Sequence, residues 1–89
     1  ITVPVDYVTA ILGGTVYVNL PNNERVPVEI PSGTQPNERI VVKGKGIPNS
    51  RTGKRGNLIV EVKVLIPKRV SSKERKLLEE IAKERGLEI

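Results

Sequence analysis

The side chains with chemistry to offer crowd into one stretch of the chain. Residues 39–55 carry Arg39, Lys43, Lys45, Arg51, Lys54 and Arg55 with no acid between them, so a phosphate-bearing or acidic partner could be held there electrostatically. The same composition describes a solvated loop built from the residues loops prefer. Nucleic-acid binding without base readout also relies on aromatic faces, and two Tyr with no Phe or Trp supply few of them. A net charge of +5 favours acidic partners weakly and falls short of a dedicated nucleic-acid binder. A basic-loop RNA-binding module is therefore the alternative reading, not the first.

Catalysis has little to work with. There is no His and no Cys, which removes imidazole bases, thiol nucleophiles, disulfides and the usual zinc ligand sets together. Asp6 is the one aspartate, and pairing Ser50 with Lys54 as nucleophile and base has no support in the pattern. Gly44-Lys45-Gly46 and Gly53-Lys54 look superficially like phosphate-cradling loops. A dinucleotide fingerprint would need Gly where Asn49 stands, and a P-loop would need Gly at Pro48 and Ser or Thr at Arg55. The expectation is a protein that binds and does not catalyse.

The elements that must carry these residues are mostly strands. Val, Ile and Leu supply nearly all of the 37% apolar content, which gives an aliphatic core biased to extended structure. Alternation predicts a first strand over residues 1–8, with Pro4 placing it at a sheet edge, where Ile1 and Val3 could accept an extended peptide or simply be core. A helical turn at Thr9–Leu12 leads to Gly13-Gly14, and a hairpin follows with strands at 15–20 and 25–30 around Pro21-Asn22-Asn23-Glu24. A Pro- and Gly-containing loop precedes a short strand at 39–43, and residues 44–57 read as irregular. Residues 58–66 are the strongest strand and read as central. Ser71-Ser72-Lys73-Glu74 fits a capping box, and Gly86 closes the helix it starts. That helix offers only Leu77, Leu78, Ile81 and Ala82 as an apolar stripe, so it must dock on its own sheet or on a second copy. No stretch is long and apolar enough for a membrane span, and the chain reads as a piece of a longer, cytoplasmic protein.

Several short motifs recur in a distinctive order. They are Val3-Pro4-Val5, Ala10-Ile11-Leu12-Gly13-Gly14, Val16-Tyr17-Val18, Ile30-Pro31-Ser32-Gly33-Thr34-Gln35, Lys43-Gly44-Lys45-Gly46-Ile47-Pro48 and Arg55-Gly56-Asn57-Leu58-Ile59-Val60, with Pro67 and a Ser-rich helix start behind them. Over nearly the whole chain this order resembles the second C-terminal β-domain of DnaJ-type co-chaperones. The resemblance implies a mainly β, small β-sandwich-like domain of about five to six strands with one short helical turn in residues 1–67, and a C-terminal dimerisation helix in 68–89. It implies a stress-response chaperone that binds unfolded or extended client polypeptides, pairs as a homodimer and delivers clients to a DnaK-type chaperone. The His-Pro-Asp signature that would stimulate that partner and the Cys-x-x-Cys repeats that would bind zinc are absent here. No cofactor is expected in this chain, and zinc or a J-domain would belong to other parts of a parent protein. By position from the sibling first domain of the family, the client-binding candidates are Ile1, Val3, Val18 and Leu20. The pairing candidates are Leu77, Leu78, Ile81 and Ala82.

Overall fold

A computed structural model describes every residue from Ile1 to Ile89. Strand β1 (Thr2–Asp6) runs into the short helix α1 (Tyr7–Leu12), and β2 (Gly14–Asn19) and β3 (Arg25–Ile30) form a hairpin. Strand β4 (Arg39–Val42), strand β5 (Leu58–Leu65) and helix α2 (Ser72–Glu84) complete the chain. The expectation of a mainly β domain holds, with five strands in two sheets. One sheet has the order β1-β5-β4, with β1 parallel and β4 antiparallel to a central β5; the other is the β2-β3 hairpin.

The registers explain why the two sheets face each other. Val3 lies opposite Val62, Val5 opposite Val64, and Ile40 opposite Val60, all on one face of the larger sheet. Val16 opposite Val28 and Val18 opposite Val26 form the matching face of the hairpin. Period-2 side chains thus meet across a single valine-rich core, in which Val5, Val26, Val28, Val60 and Val62 are almost wholly enclosed. Each such valine contributes about 1.5–3 kcal/mol relative to an exposed one.

Local chemistry sets the boundaries. The first strand stops at Asp6, two residues earlier than its alternation suggests, because the Asp6 carboxylate accepts from the Val8 N–H at 2.9 Å and caps α1 there. The helical turn is accordingly a six-residue helix starting at Tyr7. Gly13 follows at φ 83°, where a Cβ would lie 3.1 Å from the Ile30 carbonyl oxygen. The last carbonyls of α1 are served from far away in sequence: Gly33 N–H and Thr34 N–H donate to Ala10 O at 2.9 Å, and Ser32 Oγ donates to Ile11 O at 2.9 Å. Two of the motifs in the family-like order therefore meet in space as a helix end and its cap.

The radius of gyration is 17.2 Å, well above the roughly 12 Å of a compact chain this long. The two ends account for the length. Helix α2 extends beyond the sheets at the end that carries α1, and the loop of residues 44–57 extends at the other. That loop is irregular by period yet ordered by backbone bonds, with Gly46 N–H to Gly56 O at 2.9 Å, Gly56 N–H to Ile47 O at 3.1 Å and Asn49 N–H to Lys54 O at 2.6 Å.

Candidate functional site

At the α1 end, two helices form one apolar depression. Ser71 caps α2 by accepting from the Glu74 N–H at 3.1 Å, but the Glu74 carboxylate does not reach back to complete a capping box. It accepts instead from the hydroxyl of Tyr7, the first residue of α1. The depression between the helices, about 270 Å3, is lined by Val8, Ile11, Leu12, Leu77, Leu78 and Ile81. Ile11, Leu12, Leu77 and Ile81 are all about half exposed or more, and Leu12 reaches 72%. Helix α2 does not lie on the sheet of its own chain, so of its two expected docking partners the sheet is not the one used here.

Ala82 lies outside the inter-helix depression and shares a smaller one with Leu78, Val70 and Ile89. The helix ends with Leu87 N–H donating to Ala82 O at 2.9 Å and Gly86 N–H to Lys83 O at 3.1 Å, with Gly86 at φ 69°. This Schellman closure folds Leu87 back towards Ala82, which is 8% exposed and lines no part of the inter-helix depression. The residues that sequence reasoning missed are Val8, Ile11 and Leu12. Their signal was the i, i+3, i+4 spacing within a segment read as too short to be a helix.

At the opposite end, Ile1 and Leu20 share a wider depression of about 480 Å3 with Pro21, Ile47, Pro48 and Leu58. Val3 and Val18 do not reach it; at 8% and 7% exposure they are core residues facing the other sheet. Lys45 and Arg55 stand on the rim, both tied to Glu24 in the hairpin turn: Lys45 Nζ lies 2.5 Å from Oε2 and an Arg55 guanidinium nitrogen 2.7 Å from Oε1. Arg55 also donates to Gly46 O at 3.1 Å and to Lys45 O at 3.0 Å. The Lys45 and Arg55 hydrogen bonds hold the Glu24 carboxyl down at about 2. Arg39, Lys43, Arg51 and Lys54 are exposed and make no ion pair. The six cations of residues 39–55 are thus not one patch, because two of them hold the loop together.

The sheet edges differ in what they offer. Leu20 N–H donates to Glu24 O at 2.8 Å, which fixes the hairpin parity: Gly14, Val16 and Val18 bond to β3, while Thr15, Tyr17 and Asn19 turn their N–H and C=O groups outward. On β3 the outward residues are Arg25, Pro27 and Glu29, and Pro27 has no N–H to give. Glu61 N–H donates to Ile1 O at 2.7 Å, so on β1 the outward residues are Thr2, Pro4 and Asp6, again with a proline at the middle. On β4 the outward residues are Arg39, Val41 and Lys43, and the strand enters through a bulge in which Asn37, at φ 67°, and Glu38 both bond to Val62. Proline, charge and bulge are the devices that blunt an edge. Only β2 has none of them.

Comparison with known proteins settles the family. The model of the DnaJ C terminal domain family matches residues 1–67. The chain is 53% identical to "Chaperone protein DnaJ" of Thermosipho africanus and 55% identical to that of Thermotoga maritima, each over 87 residues. The chain belongs to the DnaJ C-terminal domain family. Those two alignments take in 98% of this chain and 23% of each relative, so the chain spans about a quarter of the length of the DnaJ proteins it matches. A DnaJ A7B protein of Oryza sativa, named as chloroplastic, is 49% identical over 91% of the chain and 18% of its own length. Membership in a chaperone family, with Lys45 and Arg55 both tied to Glu24, overturns the RNA-binding alternative. No three His, Cys, Asp or Glu residues converge as a metal site would require. No helix is long and apolar enough to cross a membrane.

Proposed function

We propose that this chain is the part of a DnaJ-type co-chaperone that holds extended client segments and joins two copies. Its β-domain (residues 1–67) is the client-holding part and residues 68–89 are the pairing helix. The observation that carries the reading is the open edge of β2, where Thr15, Tyr17 and Asn19 present unpaired backbone groups and every other edge is blunted. An unfolded segment can add there as a further strand, its main chain supplying affinity for any sequence that is extended. Such binding is weak at one site. Pairing through Leu77, Leu78 and Ile81, widened by Val8, Ile11 and Leu12 of α1, places two such edges on one particle and raises their effective concentration. The function needs no chemistry of its own, and delivery to a DnaK-type chaperone through a J-domain belongs to the parent protein, in the cytoplasm.

The test is a Tyr17→Pro substitution, which removes the central outward N–H of β2 as Pro27 does on β3. Fluorescence anisotropy of a labelled extended apolar peptide should show binding to the wild type and its loss in the variant, with circular dichroism unchanged. Equal affinity of the two proteins would refute strand addition at this edge.

A further inference from the structure

The larger sheet has a second face, turned away from the core, whose side chains neither depression uses. Alternate residues of a strand share a face, and on β5 the outward ones are Ile59, Glu61 and Lys63. On β4 they are Arg39 and Val41, with Lys43 following at the end of the strand. The register sets Val41 directly opposite Ile59, and the two are 51% and 42% exposed. Arg39 lies opposite Glu61, the next outward pair along. Arg39, Lys43 and Lys63 are all exposed and make no ion pair. The face thus sets three cations against one half-buried carboxylate around two branched apolar side chains. Its other acid, Asp6, lies opposite Leu65 at the far end, and its carboxylate caps α1. No aromatic stands among these residues, so a nucleic-acid base would find nothing to stack on.

We infer that this outer face of β4 and β5 docks an acidic amphipathic helix of another protein, its apolar stripe on Val41 and Ile59 and its carboxylates against Arg39, Lys43 and Lys63. Charge decides the partner's chemistry, because a basic helix would meet like charge and be turned away. Backbone decides its shape. Strand β5 is paired on both sides, so the face offers side chains alone. An extended segment laid across it would find no partners for its own N–H and C=O groups, whereas a helix satisfies them internally. The spacing agrees. Arg39 and Lys43 each lie two residues from Val41, about 7 Å along the strand, and helical residues four apart are separated by about 6 Å along their axis. A carboxylate one turn to either side of a leucine therefore reaches both cations. Because β2 belongs to the other sheet, this docking does not rest on the client-holding reading, and both surfaces can be occupied at once.

The probe is a labelled, alanine-based helical peptide with two leucines one turn apart and a glutamate one turn beyond each. In one control glutamine replaces both glutamates, and in the other alanine replaces both leucines. Anisotropy titrations at low salt should show the glutamine peptide weaker by about tenfold, as two surface ion pairs allow. The alanine peptide should be weaker by about tenfold or more, for loss of leucine burial. Added salt should erase the first difference and leave the second. Val41→Thr combined with Ile59→Thr keeps the branched side chains that strands favour, so it should lose the peptide with its melting unchanged. Arg39→Gln combined with Lys43→Gln should bind the glutamate and glutamine peptides alike. Equal binding of all three peptides to the wild type, or of none, would overturn the inference. Displacement of the helix by an extended apolar peptide would do the same, since it would put the helix on the client-holding edge. Retention on vesicles of mixed phosphatidylglycerol and phosphatidylcholine, lost in the threonine variant and seen without helix binding, would overturn the choice of a protein partner.

Discussion

The Tyr7 hydroxyl donates to the Glu74 carboxylate across 67 residues of sequence, fastening the start of α1 to the first turn of α2. Asp6 and Ser71 cap the two helices one and three residues before these partners, so the bond joins two already defined helix starts. The hydrogen bond to Glu74 pushes the Tyr7 phenol above its usual 10.0, with desolvation and the charges of Glu74 and Asp6 acting the same way.

A raised folded value means that the neutral phenol stabilises the docked helix. The contribution is complete below the ordinary tyrosine range and is lost as pH rises through the raised value. Melts followed by circular dichroism from about pH 9 to about pH 11.5 should therefore show a base-induced loss in the wild type that is absent in Tyr7→Phe. Identical pH profiles would mean that the bond does not couple the helices.

Glu24 gives the opposite sign at the other end of the molecule. Its carboxyl lies at about 2 in the fold against 4.5 for an unperturbed glutamate, held by Lys45 and Arg55. Its contribution is present above 4.5 and disappears as pH falls towards about 2. Hydrogen exchange at the Gly46 and Gly56 amides, which close the loop, should speed up relative to the intrinsic rate across that window. In Glu24→Gln the two amides should be less protected at neutral pH and show no such acid step.

Gly46 is required by a backbone approach. A Cβ at this position would lie 2.4 Å from the Asn57 carbonyl oxygen, and backbone cannot move aside as a side chain tip can. Gly46→Ala should cost about 1–3 kcal/mol, the usual range for forced overpacking, read as a lower midpoint in urea. Gly44→Ala meets no atom within 4 Å but sits at φ 73°, so its cost comes from backbone strain alone and should leave the Gly46–Gly56 bonds in place.

Pairing is tested by charge on the inter-helix depression. Leu77 and Ile81 are 51% and 48% exposed in the single chain, so Leu77→Glu and Ile81→Glu should leave the melting of the β-domain unchanged. Sedimentation equilibrium should show a concentration-dependent dimer for the wild type and monomers for both variants. Ile11→Glu on α1 should have the same effect, because α1 supplies the other wall. Ala82→Ser, outside the depression, should pair normally. A wild type that stays monomeric at every concentration would remove the pairing role from this chain.

The strands, the hairpin turn, the helix cap and the closing Gly86 were legible in the amino-acid sequence because each depends on neighbours a few residues away. Alternation of Val26, Val28 and Ile30 needs only a core on one side, and the family-like order of motifs needs only spacing. Tertiary structure alone decided the rest. It turned Val3, Val18 and Leu20 into core, left Ile1 exposed at a depression that Leu20 also lines, and placed Ala82 outside the inter-helix depression that Leu77, Leu78 and Ile81 line. It also spent Lys45 and Arg55 on Glu24, which lies 21 and 31 residues from them, and so dissolved a basic patch that composition alone had suggested. Most of all, it decided which edge is open. Pro4 and Pro27 blunt β1 and β3 because hydrogen-bond parity turns those positions outward, and parity is set by the partner strand. A sequence records which residues prefer to be buried or extended; which groups meet, and which are left free to meet another chain, follows only when distant segments are brought together.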